Sequence, residues 1–171
     1  MREPASFPIR PIRHWSLALL APVVAALLVC AAAVSVQVQP VQAQQEVRLQ
    51  GLQGERLGDS DLSQGTTIVV FWTSWSPHSR DIVARVNPLA QRWGGRARVV
   101  TVNFQEDRQT VEGFLSGKGL GSPVFLDTDG AFSRKYSVAT LPGLLIIRDG
   151  QVVYKGRLPD DADRVIADFL G

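Results

Sequence analysis

The sequence predicts an α/β domain, a central mixed sheet covered by helices on both faces, on three observations. Thr66–Trp72 (TTIVVFW) is an unbroken β-branched and aromatic run, the pattern of a strand buried on both sides. Ile82, Val83, Val86, Leu89, Ala90 and Trp93 then recur at helical spacing until Gly94-Gly95 stops them. Leu144–Ile147 and Gln151–Tyr154 flank Asp149-Gly150, the strongest hairpin dipeptide in the chain. Strands alternating with helices, closed by a hairpin and a last helix, give a sheet with helical layers on both faces.

Residues 1–43 stand apart from this domain, which occupies 44–171. Arg2, Arg10 and Arg13 precede an uncharged apolar run from Trp15 to Val38, the order of an export signal. Val41-Gln42-Ala43 offers small residues for cleavage after Ala43, which would release a secreted soluble form. The run is also long enough to span a bilayer, which takes about 20 residues. Retention as a membrane anchor through residues 15–38, with the basic side in the cytoplasm, is the alternative outcome. Both place the domain in the periplasm or another extracytoplasmic space, the second tethered to the inner membrane. Cys30, the single cysteine of the chain, lies inside the apolar run. Val29 stands where a lipoprotein cleavage box wants Gly or Ala, so Cys30 reads as a small hydrophobe.

Gln37–Gln45 is a polar, Pro-interrupted tether. Val47–Leu49 and Arg56-Leu57 around Gly54 form an opening hairpin. Pro88 falls inside the helix after Ser79 and predicts a kink. Ala97–Asn103 is a second central strand, Thr110–Leu115 a short helix and Pro123–Leu126 a brief strand, with a turn at Asp127–Gly130. Asp160–Leu170 closes the chain as a helix, its first turn carrying Asp160, Asp161 and Asp163 where the helix dipole favours them.

Composition excludes several functions. From Gln44 onward basic and acidic residues balance at about fifteen of each, and no basic run or aromatic-basic stripe suggests nucleic acid. The one histidine of the exported domain, His78, with scattered carboxylates makes no metal site, and no cofactor is implied. A hydrolase built on Ser76 or Ser79 with His78 lacks an orienting carboxylate and an oxyanion loop.

The functional signal is Phe71–Arg80, FWTSWSPHSR. With Val69–Phe71, Trp72, Trp75 and Arg80 it is similar to a strand-to-helix turn of the form W-C-x-x-C-R. Pro123–Asp127 (PVFLD), Tyr136–Pro142 (YSVATLP) and Gly143–Gly150 follow in the matching order. From about Val47 to its end the chain resembles the thioredoxin-like superfamily, specifically exported thiol-disulfide reductases of the TlpA/ResA type, or redoxins. The resemblance implies a thioredoxin fold and a cis Leu141-Pro142 bond packed opposite the Ser76 turn. It also implies a groove lined by Trp75, Leu141, Pro142 and Gly143.

Three departures accompany the likeness. Both cysteine positions are serines, Ser76 and Ser79, and a serine hydroxyl neither ionises near neutral pH nor forms a disulfide. Val70 stands where family members often carry Asn or Asp, and Gly143 where they often carry Thr. No catalytic residue is expected; Ser76, Pro77, His78, Ser79 and Pro142 are vestigial active-site positions. Serine at 76 and proline at 77 suit the cap and first position of the following helix. The expectation is a redox-inactive binding, scaffolding or accessory subunit, whose protein partner is a membrane complex or an exported polypeptide. The alternative is a TlpA/ResA-type oxidoreductase, serving cytochrome c maturation or periplasmic disulfide reduction, whose cysteines have been substituted in this sequence.

Overall fold

The structure, a computed structural model, describes residues 46–171. The expected signal, anchor and tether, and the domain's first two residues, lie outside the described residues. Among the described residues no helix is long and apolar enough to cross a membrane.

The elements in chain order are β1 (Leu49–Gly51), β2 (Arg56–Leu57), α1 (Asp59–Leu62), β3 (Thr66–Trp72), a 3-10 turn (Pro77–Ser79), α2 (Ile82–Trp93), β4 (Arg98–Phe104), α3 (Arg108–Leu115), β5 (Val124–Asp127), α4 (Ala131–Lys135), β6 (Gly143–Arg148), β7 (Gln151–Arg157) and α5 (Ala162–Leu170). They build a seven-stranded sheet in the order β2-β1-β5-β4-β3-β6-β7. β3, β4 and β5 run parallel, while β6 pairs antiparallel with β3 and β7 with β6. At the other edge β1 pairs antiparallel with β5.

β3 shows why the sheet needs two helical layers. Its alternate residues Ile68, Val70 and Trp72 join Ile82, Val86, Leu89 and Trp93 of α2, Val111 of α3, and Ala162 and Ile166 of α5 in one core. Val69 and Phe71 point the other way, into a core with Leu57, Leu62, Phe125 and Phe132. A strand alternates its side chains between faces, so an apolar run of this length has to be covered twice. At about 1.5–3 kcal/mol for each large aliphatic or aromatic side chain removed from water, these two layers supply the main drive for the fold.

Several elements differ from the sequence reading. α1 and α4, of four and five residues, fall in the polar connections before β3 and after the Asp127–Gly130 turn. They are too short for periodicity to register; Leu62 and Phe132 alone bury them in the second core. β1 begins at Leu49 rather than Val47, and β7 runs three residues further, to Arg157. As the sequence places it, Pro88 lies inside α2. α3 starts at Arg108 because the Asp107 side chain accepts from the Thr110 amide at 2.7 Å and caps it. That same bond holds the Asp107 carboxyl below its ordinary range.

Candidate functional site

β3 delivers the chain to the Ser76 turn at its carboxyl end. Pro77–Ser79 form one 3-10 turn, in which the Ser79 amide donates to the Ser76 carbonyl at 3.0 Å. The helix proper waits until Ile82. This corrects the expected cap: the Ser76 hydroxyl makes no capping bond, and Pro77 opens a single turn instead of a long helix. Ser76 is 6% exposed and Ser79 fully buried, whereas Pro77 and His78 face solvent. Trp75 is 67% exposed, one of two large apolar side chains among the described residues that stand in water.

Beneath this turn lies a polar group that the sequence reading missed. Glu106 is 8% exposed and accepts from the Ser74 amide at 2.7 Å, from the Ser74 hydroxyl, and from Asn103 Nδ2 at 2.6 Å. Asn103 pairs in register with Trp72, so the ends of β3 and β4 bring both donors together. Gln105, with φ of 55°, turns the chain back so that Glu106 meets the turn. A non-glycine residue rarely holds that conformation unless its surroundings fix it, and here its amide donates to the Asp127 carbonyl at 3.0 Å. The one linear signal was Asn103 interrupting an apolar strand three residues before a carboxylate. Around the same sheet end Trp72 Nε1, Thr73 Oγ1, Asn103 Oδ1 and Ser79 Oγ are buried without a hydrogen-bond partner among the described residues.

The second half of the site is the loop before β6. Leu141-Pro142 is cis, as the resemblance implies. Gly143 pairs with Phe71, which brings the loop to the sheet end where β3 turns toward Ser76. Pro142 and Gly143 are buried and Leu141 half-buried, so of the four expected groove residues only Trp75 is widely exposed. The Pro142 carbonyl accepts from the Leu158 amide at 2.9 Å. Neither the amide nor the carbonyl of Leu141 has a partner among the described residues. The glycine at 143 has a steric cause: a Cβ there would meet the Thr140 carbonyl oxygen at 2.8 Å and Val138 Cγ1 at 3.4 Å. Val70, the other departure, is fully buried in the core shared with α2 and pairs across the sheet with Leu144.

What the arrangement can do is limited by its atoms. Two buried hydroxyls replace any thiol, and among the described residues no cluster of His, Cys, Asp or Glu side chains could hold a metal ion. What remains among the described residues is the exposed Trp75 indole, the unpartnered amide and carbonyl of Leu141, and the Glu106 carboxylate bracing the turn at Ser74.

A mixed sheet sandwiched by helices, with a cis-proline loop beside the turn that ends β3, defines a thioredoxin-like protein. The Redoxin family matches residues 39–169, and the chain belongs to that family. It is 30% identical over 107 residues to the thiol-disulfide oxidoreductase ResA of Bacillus subtilis strain 168, covering 61% of this chain and 60% of that protein. The chain thus spans about three-fifths of that relative's length. It is 25% identical over 111 residues to the sporulation thiol-disulfide oxidoreductase A of the same organism, covering 63% and 67% of the two chains. Among solved structures, a thiol:disulfide interchange protein DsbE from Chlorobium tepidum superposes with a TM-score of 0.64 at 26% identity, over 74% of this chain and 94% of that one.

Proposed function

We propose that this redoxin-family protein has lost thiol–disulfide exchange and works as an exported binding subunit, holding a polypeptide noncovalently in the groove beside the Ser76 turn. One observation carries the reading: serine occupies both positions of the W-C-x-x-C-R pattern, and no cysteine follows Cys30. A domain without a thiolate has no nucleophile for a mixed disulfide and no group to resolve one. The exposed Trp75 and the unpaired backbone of Leu141 still suit an extended segment, which gains affinity from main-chain bonds and specificity from side-chain contacts. The basic and apolar leader supports export, with the domain either released after Ala43 or tethered through residues 15–38.

The likeness to named thiol-disulfide oxidoreductases favours a second reading, a reductase whose cysteines were substituted. Codons 76 and 79 of the natural coding sequence separate the two. Insulin reduction by the full chain tests the first directly: no turnover above buffer is expected, and measurable turnover would overturn it. The Ser76→Cys/Ser79→Cys variant is expected to recover only part of a reductase's activity, because Val70 and Gly143 remain in place. If binding uses the groove, Trp75→Ala weakens capture of a partner recovered from solubilised membranes by roughly 2 kcal/mol, against a circular-dichroism check of folding. Unchanged affinity in the folded variant would move binding to another face.

A further inference from the structure

Beside the Leu141-Pro142 loop, on its β7 side, lies a cavity of about 150 Å³ between Ser137–Thr140 and Lys155–Arg157, with Phe71 and Leu144 at its base. We infer that this cavity selects acidic polypeptide: it takes a carboxylate side chain from an extended segment lying along Leu141. The inference rests on the groove reading above and adds the chemistry of the partner.

Three observations point the same way. The first is charge. Lys155 and Arg157 both face solvent at the cavity, and no carboxylate lines it. Among the described residues neither cation makes an ion pair or a side-chain hydrogen bond; Arg56, Arg80, Lys118 and Arg148 share that state, but Lys155 and Arg157 stand together at one cavity. Asp160, which shares a neighbouring cavity with Arg157, faces Arg85 at 3.4 Å. The second is register. Lys155 pairs with Leu145 and Arg157 with Gly143, so the two cations stand on one face of the sheet, the face that carries Phe71. Their positive charge is therefore concentrated on one wall rather than split across the edge strand. The third is backbone. Ser137 opens the loop at φ of 51°, and Leu141 offers an unpartnered amide and carbonyl at its other end. A segment pairing there would send alternate side chains toward the sheet face, and the cavity is sized for one of them. An apolar base with a cationic rim suits the methylenes and carboxylate of a glutamate.

The test uses the full 171-residue chain in neutral detergent and two fluorescein-labelled peptides, GVEVEVG and its neutral counterpart GVQVQVG, read by fluorescence polarisation at low salt. The acidic peptide is expected to bind about fivefold more tightly, the effect of two partly exposed ion pairs, and to lose that advantage at high salt. Lys155→Ala/Arg157→Ala is expected to bind both peptides equally, at the affinity of the neutral one. Trp75→Ala is expected to weaken both peptides by the same factor and leave their ratio unchanged. Equal affinity of the two peptides for the unaltered chain, or a preference that survives in the double variant, overturns the acidic selectivity while leaving the groove in place. Binding of neither peptide overturns the groove reading, and the selectivity with it.

Discussion

The two loops that meet at the carboxyl end of β3 have fared differently. The Ser76 turn carries serine where the family pattern has cysteine: both serine positions are buried, and Ser79 Oγ lacks a partner among the described residues. The loop from Ser137 to Gly143 has a cis Leu141-Pro142 bond, a Leu141 backbone without a partner among the described residues and a cation-rimmed cavity on its far side. Covalent chemistry needs particular atoms at one spot, and two substitutions remove it. The proposed binding would draw on backbone, an indole and several side chains, none of which depends on those two positions. Function lives in the site and not in the fold, and here the site divides into a part that can be lost and a part that need not be.

The largest expected effect tests whether the first loop is committed beyond its two serines. Val70→Asp would restore the carboxylate that family members often carry at this position. It would also place a charge in the core that holds Ile68, Ile82, Val86 and Leu144, beside the buried Thr101, whose hydroxyl already donates to the Pro123 carbonyl. Full burial raises a carboxyl pKa by up to about 3–5 units, so at neutral pH the cost is about 4 kcal/mol or more. The sign follows directly: a carboxyl whose folded pKa is raised destabilises most above that pKa and least in acid. Urea unfolding at pH 7 and pH 4.5 should therefore show the deficit shrinking as pH falls. A variant as stable as the parent at pH 7 would mean that the site still accommodates a buried acid.

Next in size is the brace beneath the turn. Glu106→Ala strands the Ser74 amide, the Ser74 hydroxyl and Asn103 Nδ2, three donors at a largely buried position. Leaving buried partners unsatisfied costs about 1–3 kcal/mol, and the half-buried Ser74 can recover some of that from water. The expectation is a loss of about 2–3 kcal/mol in urea unfolding and faster amide exchange at Ser74. Lys155→Ala, at an exposed β7 residue across the cavity from the second loop and without an ion pair among the described residues, should stay within about 0.5 kcal/mol of the parent. Equal effects of the two would erase the contrast between a braced turn and an open binding wall.

How much of this was legible in the sequence follows from where the information sits. The buried strands announced themselves, because the five apolar residues Ile68–Trp72, led by two β-branched threonines, have the pattern of a strand covered on both faces, and Asp149-Gly150 marked its hairpin. The cis proline and the paired serines came from likeness to a family, since each is a matter of order along the chain. Glu106 was not legible. Its role depends on Gln105 adopting a left-handed backbone and on Trp72 meeting Asn103 in register, neither of which local composition encodes. The capping expectation held in position, with Ser76 the cap and Pro77 the first residue of the 3-10 turn, but not in its bond or in the length of the element. A Ser-Pro pair favours a helix start, yet the turn closes after Ser79 and the helix begins at Ile82, where α2 can lay Ile82, Val86 and Leu89 onto the sheet. The cation-rimmed cavity was equally hidden, since Ser137 and Arg157 meet only through the β6–β7 hairpin.

The smallest expected effect carries the opposite sign. Ser79 stands where the resolving cysteine of the family pattern would be, and its hydroxyl is buried without a partner among the described residues. If this position still served binding or catalysis through that hydroxyl, removing it would cost function. If it is a remnant, its desolvated oxygen is only a burden, and an unsatisfied buried polar group costs about 1–3 kcal/mol. Ser79→Ala deletes one oxygen, keeps the Cβ and leaves the bond from the Ser79 amide to the Ser76 carbonyl intact. The small void it creates offsets part of the gain, so the net expectation is a stabilisation of roughly 1 kcal/mol with unchanged peptide affinity. Ser74→Ala is the control within the same turn: its hydroxyl is bound to Glu106, so that variant should lose stability where Ser79→Ala gains it. A Ser79→Ala variant that is less stable, or that binds the acidic peptide more weakly, would show that the turn's hydroxyl still has a task.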